Sequence, residues 1–501
     1  METEIELKYL VLGDDIAEVI TNLLNQSNLP FQSQEQELGN NYFDTSDLLL
    51  RKADIGFRIR HSSIKPSEQT VKTSGKVIGG LHQRPEYNTA IKGNTPDLSL
   101  FDPSIWPDNF NINAVSTNLI SLFETNFKRF TWLVTCADGS VVELAYDSGS
   151  VCTKSESETI NEIELELVSG TTDSLFSLAK ILFSKLSVRP GLASKAARGY
   201  GLAFPKTPKS IDASDIVLKL SADMALMSSF KMGFEECLGN LQRLVELFIT
   251  TPNLYTLKDI SNALALTRHG LWLYKDYLDE EFNCALRENI KVILNELSWV
   301  DTAIQVKELI TRTGKYRKKI ENSESLLLEL KGAKHGKQDL DNAVHLFHRK
   351  DFNLIQLSML QLVLSTFDDS AHQTLLTDLA PSWLTISLEE LRQSLTSKAE
   401  FNAQDYAGKH SLLIRSLLTG CWFARLYDHT GRNEYRGPWL DLHHGIEELK
   451  ILLLLKEHLQ NIQQQVPQKL IDWLDNKIEH LVAALEQCKS AALTLQPYWL
   501  K

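Results

Sequence analysis

The sequence lacks a long apolar run. Ile451 to Leu455 is the obvious candidate, and five residues fall far short of the roughly twenty that a membrane-spanning helix needs. It also lacks paired cysteines: Cys136, Cys152, Cys237, Cys284, Cys421 and Cys488 are scattered, with no C-x-x-C among them. That spacing excludes a zinc ribbon or a disulfide scaffold and fits reduced, structural thiols. Net positive charge is absent as well. At -12 the chain has no basic field with which to displace counterions, which argues against a general nucleic-acid binder. The N-terminus carries acids where a signal peptide would carry a basic region and an apolar core. Cytoplasmic residence, with neither membrane nor nucleic acid as partner, is the expectation.

Proline is scarce in one part only. Nine of the 14 prolines lie at or before Pro208, and five follow. The early part is rich in short alternating segments and the later part in long stretches of helical periodicity, such as Ile216 to Phe248 and Glu280 to Leu297. Phe204-Pro-Lys-Thr-Pro-Lys-Ser-Ile-Asp-Ala-Ser214 has linker composition. The chain therefore divides into 1–204, a linker at 205–215, and 216–501. No repeat is visible. At 501 residues, two domains are the ordinary expectation.

What the early part does have is alternation with charge. In Glu4-Ile-Glu-Leu-Lys8 the acids and the lysine share one face of a strand and Ile5, Leu7 and Tyr9 the other. Carboxylates two apart on a strand sit about 6.6 Å from each other and repel by about 2.5 kcal/mol at an effective dielectric near 20. A wet face tolerates that; a cavity wall needs compensation. Alone, the segment reads as a solvated edge. The pattern recurs, however: Arg58 and Arg60 oppose Phe57 and Ile59, Lys72 opposes Val71, and Arg84 and Glu86 oppose Tyr87. Glu143 and Asp147 oppose Leu144 and Tyr146, and Glu162, Glu164 and Glu166 oppose Ile163, Leu165 and Leu167. Ala137-Asp-Gly139 marks a hairpin between two of these strands. Many antiparallel strands with like charges in register suggest a closed sheet with an acidic wall and a basic wall inside. Such an interior calls for a hard divalent cation and a polyanion.

Four motifs taken in order resemble the CYTH superfamily of triphosphate tunnel metalloenzymes. They are Glu4-x-Glu6-x-Lys8, Gly56-Phe-Arg-Ile-Arg60, Glu162-x-Glu164-x-Glu166 and Ser194-Lys-Ala-Ala-Arg-Gly-Tyr200. Gly79-Gly-Leu-His-Gln-Arg-Pro-Glu-Tyr-Asn88 resembles the two-domain bacterial inorganic triphosphatases in particular. The resemblance covers residues 1–204 and implies an α+β protein: an antiparallel eight-stranded barrel followed by an all-α domain similar to CHAD domains. It implies that Glu4, Glu6, Asp147, Glu162, Glu164 and Glu166 hold a divalent metal, Mg2+ or Mn2+. Lys8, Arg58, Arg60, Lys72, Arg84, Arg129, Lys195 and Arg198 would grip inorganic triphosphate, with Glu4, Glu6, Lys8, Arg60 and Lys72 central to catalysis. A carboxylate among Glu86, Glu143 and the acidic strands would take the proton.

The later part departs from the basic, polyphosphate-binding character of CHAD domains. Lys and Arg number 20 and Asp and Glu 26 in residues 1–210, against 32 and 38 beyond, so each part is net -6. At most weak polyphosphate binding is expected there, with Lys315 to Lys319 and His443-His444 reading as helix surface. The expected reaction is metal-dependent hydrolysis of triphosphate to pyrophosphate and phosphate. The alternatives are a nucleoside or thiamine triphosphatase, a class IV-type adenylate cyclase, and a non-enzymatic polyphosphate scaffold.

Overall fold

The computed structural model describes residues 2–108, 110–205, 218–321, 323–334, 336–367, 375–462 and 467–500. The early part runs β1 (Glu2–Leu12), α1 (Ile16–Gln26), β2 (Phe31–Asp44), α2 (Leu49–Lys52), β3 (Gly56–Ser62), β4 (Glu68–Lys72), β5 (Lys76–Ile78) and β6 (Leu81–Ala90). It continues through α3 (Ile112–Thr117), β7 (Ile120–Thr135), β8 (Val141–Cys152), β9 (Ser157–Ser169), α4 (Asp173–Leu182), β10 (Ser187–Pro190) and α5 (Lys195–Ala203). Eight strands close in the order β1-β9-β8-β7-β2-β3-β4-β6 and back to β1, all antiparallel. This is the expected eight-stranded barrel. β10 extends it by pairing with the second half of β1, from Tyr9 opposite Pro190 to Leu12 opposite Ser187.

The apolar side of each strand faces outward and is covered. Phe43, Phe57, Ile59 and Val71 pack beneath Leu98, Phe101, Trp106 and Val115 of the β6–β7 connection. Tyr9 meets Phe183 edge-on at 5.0 Å, and Trp132 donates its indole N–H to Thr21 of α1 at 3.1 Å. Burying the alternate apolar residues outside the cylinder obliges the charged residues between them to face in. The β7–β8 hairpin turns where expected, with Gly139 at φ +84° and Asp138 accepting from the Ser140 N–H at 3.0 Å.

The later part is helical, as expected. It comprises α6 (Leu226–Thr250), α7 (Leu254–Leu273), α8 (Glu280–Glu296), α9 (Trp299–Ile310), α10 (Arg317–Ile320) and α11 (Glu324–Gly332). Then follow α12 (Lys337–Leu346), α13 (Lys350–Leu364), α14 (Leu376–Leu395), α15 (Ala403–Trp422), α16 (His429–Asn461) and α17 (Gln468–Thr494). Side-chain caps start several of these helices: Asn253, Asp279 and Asp428 each accept from a first-turn N–H. Asn402 and Asp405 form a reciprocal capping box on α15.

The chain forms two compact units, Met1–Ile211 with Leu346–Gln361, and Asp212–His345 with Leu362–Lys501. The stretch 346–361, read from sequence as part of the helical domain, thus groups with the barrel. Within that unit Asn353 Nδ2 donates to the Val188 carbonyl of β10 at 2.6 Å. The linker expected at 205–215 lies, apart from Pro205, outside the described residues, as does Ile216.

Candidate functional site: a charged tunnel in the barrel

Strand register decides which charges meet. Across β1 and β9, Glu6 stands opposite Glu166, Lys8 opposite Glu164 and Leu10 opposite Glu162. Across β1 and β6, Glu4 stands opposite Arg84 and Glu6 opposite His82. Lys72 pairs in register with Glu86, and Arg129 with Asp147. The cavity enclosed is about 400 Å³ and is lined by six carboxylates and seven cationic side chains. That volume suits a small ligand, and the near balance of charge makes the pairing inside it the deciding question.

One set of charges is already satisfied. Arg129 forks onto Asp147, with Nε to Oδ1 and Nη2 to Oδ2 both at 2.7 Å, and reaches Glu164 at 2.5 Å. Lys195 Nζ lies 2.6 Å from Asp147 and 2.9 Å from Glu164 and also bonds Glu162. Lys8 Nζ bonds Glu164 and lies 3.2 Å from Glu162. Asp147 and Glu162 are completely buried. Against the cost of burial, Arg129 and Lys195 hold Asp147 below the usual carboxylate range, and Lys195, Lys8 and Arg129 hold Glu164 well below it. The backbone is shaped to admit Lys8: the Gly80 carbonyl accepts from its N–H, and its own carbonyl accepts from the Gly191 N–H, at 2.9 and 2.8 Å. A Cβ at Gly191 would stand 2.6 Å from Lys8 Cγ. Lys195 is delivered by the first turn of α5, capped by Ser194, which accepts from the Ala197 N–H at 3.1 Å.

Two further groups are left uncompensated, with opposite sign. Burial, joined by Glu164 and Glu4, pushes Glu6 up to about 7. Burial, joined by Glu4, Glu143 and Glu6, pushes Glu166 up to about 8. At the other pole, burial and the neighbouring Arg58 and Arg129 push Arg60 down to about 10. Among the described residues no carboxylate lies within 4.0 Å of Arg60, whose Nε donates to Asn40 Oδ1 at 2.9 Å. Arg58 lies 3.7 Å from Glu86, and its buried Nε has no hydrogen-bond partner. Between the poles, Lys72 bonds Glu4 and lies 2.6 Å from Glu86. The site thus has one place short of positive charge and another short of negative charge.

The expected site residues sort accordingly. Glu4, Glu6, Lys8, Arg58, Arg60, Lys72, Arg84, Arg129, Glu164, Glu166 and Lys195 line the cavity; Asp147, Glu162 and Arg198 do not. Asp147, Glu162 and Glu164 have carboxylate oxygens within 4.8 Å of one another, close enough to hold a metal, but the Lys195 ammonium contacts all three. Arg198, expected on the substrate, braces β9 instead, donating to Glu158 at 2.6 Å and to Glu162 at 3.1 Å. Arg84 is tied to the rim through the Thr73 and Asp54 carbonyls at 2.9 and 3.1 Å. Sequence reading missed Tyr42 and His82, which also line the cavity. Parity could have found both, since Tyr42 shares a face with Asn40 and His82 with Arg84. His82 donates from Nε2 to the Gly191 carbonyl at 2.8 Å, and burial pushes it down to about 4.

Residues 2–200 match the model of the CYTH domain family, and the chain carries a CYTH domain over that span. An inorganic triphosphatase from Haemophilus influenzae is 36% identical over 201 residues, covering 40% of this chain and 55% of that protein. The chain therefore spans about half the length of the curated relative it matches. Among solved structures, the CHAD domain from the plant Ricinus communis is similar over 56% of this chain and 98% of that one, at 16% identity and a TM-score of 0.41. An adenylyl cyclase candidate from Hippeastrum, described as having a dominant triphosphatase activity, covers 38% of this chain and 92% of that one. Its identity is 19% and its TM-score 0.30. Among the described residues no helix is long and apolar enough to cross a membrane.

Proposed function

We propose that the tunnel hydrolyses inorganic triphosphate to pyrophosphate and phosphate with the help of a divalent cation, Mg2+ or Mn2+. One observation carries the reading: a single cavity holds an arginine whose charge is opposed by its neighbours and carboxylates whose charges are opposed by theirs. A polyanion relieves the first and a hard cation the second. The relative named an inorganic triphosphatase supports the substrate class.

Glu4, Glu6 and Glu166 fit a divalent cation: they are oxygen donors, they crowd one another, and Glu6 and Glu166 lack a close ammonium within 3.5 Å among the described residues. When bound, the ion would neutralise charge on the phosphoryl oxygens and polarise water. The chain's own groups do the rest. Arg58, Arg60 and Arg129 present guanidinium forks to the phosphoryl oxygens, and water is largely excluded by the barrel wall, so these contacts act in a low dielectric. Lys72 stands where charge accumulates between the two poles. Lys8 and Lys195 are held by Asp147, Glu162 and Glu164, which fixes the geometry before substrate arrives. Of the candidate proton acceptors, Glu86 is spent on Lys72 and Arg58, which hold it well below the usual range despite burial. Glu143 faces the cavity with no cation within 4.0 Å among the described residues, which leaves it to orient or deprotonate the attacking water.

The helical unit is read as CHAD-like, with at most weak affinity for polyphosphate. The test is phosphate release from tripolyphosphate, ATP and thiamine triphosphate, each with Mg2+, Mn2+ or chelator. Tripolyphosphate should be turned over fastest and chelator should stop the reaction. Equal or faster turnover of an organic triphosphate would replace the substrate assignment, and undiminished activity in chelator would remove the metal.

A further inference from the structure

The helical unit contains a second constellation of metal-ligating side chains, which the tunnel chemistry does not use. His443 and Glu447 stand one turn apart on α16 and so project from the same face; His443 Nε2 lies 3.6 Å from Glu447 Oε2. α15 brings His410 against them. Its Nε2 is 3.1 Å from His443 Nδ1, and the two rings lie nearly parallel, 8° apart with centroids at 5.1 Å. One ligand atom from each of the three residues falls within 4.8 Å of the other two. We propose that His410, His443 and Glu447 form a binding site for a borderline transition-metal ion of the zinc type.

Geometry is the first support. Two nitrogen ligands at about 2.05 Å from a four-coordinate ion stand about 3.3 Å apart. The 3.1 Å nitrogen–nitrogen gap is close to that bite, with a shared proton where the ion would sit. The ligand set is the second. Two imidazoles and one carboxylate match three-ligand zinc centres that keep a fourth position for water, and they suit zinc or cobalt better than magnesium. Proton competition is the third. His410 is pushed down to about 3 by burial, by Lys450, by His443 and by Lys258, and burial lowers His443 too. Both rings are therefore neutral near pH 7 and offer lone pairs without first losing a charge-bearing proton.

The surroundings are compatible with added positive charge. Lys258 is paired with Asp301 of α9 at 2.6 Å, and Glu447 offsets Lys450 one turn further along α16. His410 is 8% exposed whereas the Glu447 side chain is 44% exposed, so an ion reaches the buried imidazoles past the carboxylate. His444, next along the chain, is exposed and takes no part. The local reading of His443-His444 as helix surface therefore holds for one residue of the pair. The other finds its partner 33 residues away.

The test uses the full chain stripped of metal and titrated with Co2+ alone, followed by visible spectroscopy, then with Zn2+ as competitor. A four-coordinate cobalt with imidazole ligands gives intense ligand-field bands. Cobalt among the oxygen donors of the tunnel gives weak ones, so filling the tunnel cannot imitate the result. The expected outcome is one saturable set of intense bands that Zn2+ abolishes. Glu447→Gln should weaken Co2+ binding about tenfold or more, and His410→Ala should abolish the bands. Because Glu447 is exposed, its variant decides the matter even if His410→Ala fails to fold by circular dichroism. Absence of intense bands at saturating Co2+, or bands unchanged in Glu447→Gln, would overturn the assignment.

Discussion

The acidic pole of the tunnel makes a quantitative demand on metal binding. With Glu6 pushed up to about 7 and Glu166 to about 8, both must shed protons before their oxygens take a cation. At pH 6 the two conditions cost factors of roughly ten and a hundred, which multiply to about 10³; at pH 9 both are nearly met. The apparent affinity for Mn2+ or Mg2+ should therefore fall about 10³-fold from pH 9 to pH 6, with close to two protons released per ion bound below pH 7. Isothermal calorimetry in buffers of different ionisation heat counts those protons directly. Glu166→Gln should shrink the span to about tenfold and remove one proton from the count. The same shifts fix the sign of metal-free stability. A carboxyl whose folded value is raised keeps its proton after the unfolded chain has lost it. Stability therefore declines as pH rises from about 5 to about 8 and levels off beyond. Affinity that stayed flat from pH 6 to 9, or undiminished proton release in Glu166→Gln, would refute the reasoning.

Two substitutions separate the unsatisfied charges from the satisfied ones. Arg60→Ala should lower kcat/KM for tripolyphosphate about 10²- to 10³-fold while leaving the melting temperature level or slightly raised, because Arg58 and Arg129 already oppose its charge. Arg60→Lys should recover only part of the loss, since it gives up the planar fork; wild-type steady-state kinetics in Arg60→Ala would sink the basic-pole assignment. Arg129→Ala strips Asp147 and Glu164 of their forked partner and should cost about 3–5 kcal/mol in denaturant unfolding. A loss below about 1 kcal/mol, the range of a surface pair, would mean that this lattice does not hold the barrel together.

The barrel was legible because its signal is local. Period-two alternation on β1, β3, β8 and β9 assigns a face to every charge within a few residues, and the Asp-Gly turn joins β7 to β8 without distant information. Polar strands escaped the same reasoning. β2 begins at Phe31 and β7 at Ile120, well before the alternating segments that announced them, because exposed Gln and Ser residues in their first halves carry no apolar rhythm. Pairing escaped it too. Lys8 meets Glu162 and Glu164 across more than 150 residues, and only the closed register shows that these acids are neutralised whereas Glu6 and Glu166 are not. The placement of 346–361 with the barrel unit depends on a hydrogen bond from Asn353 to a carbonyl 165 residues earlier, for which helical periodicity holds no trace.

A tunnel with nearly equal numbers of carboxylates and cations could have paired them all and become an inert core. This one does not, and the lattice of buried pairs explains how the imbalance survives. Asp147, Glu162 and Glu164 hold Lys8, Lys195 and Arg129 in place, so those cations cannot swing across to relieve Glu166. Register fixes Glu4 and Glu6 on β1, while Arg60 stands on β3 opposite Asn40 of β2 and is likewise unavailable to them. The field is therefore stored in fixed groups and requires no rearrangement when ligand enters. A polyanion at the arginine pole lowers the cost of a cation at the acidic pole, and the cation lowers the cost of the polyanion by the same amount, because the coupling between two sites is reciprocal.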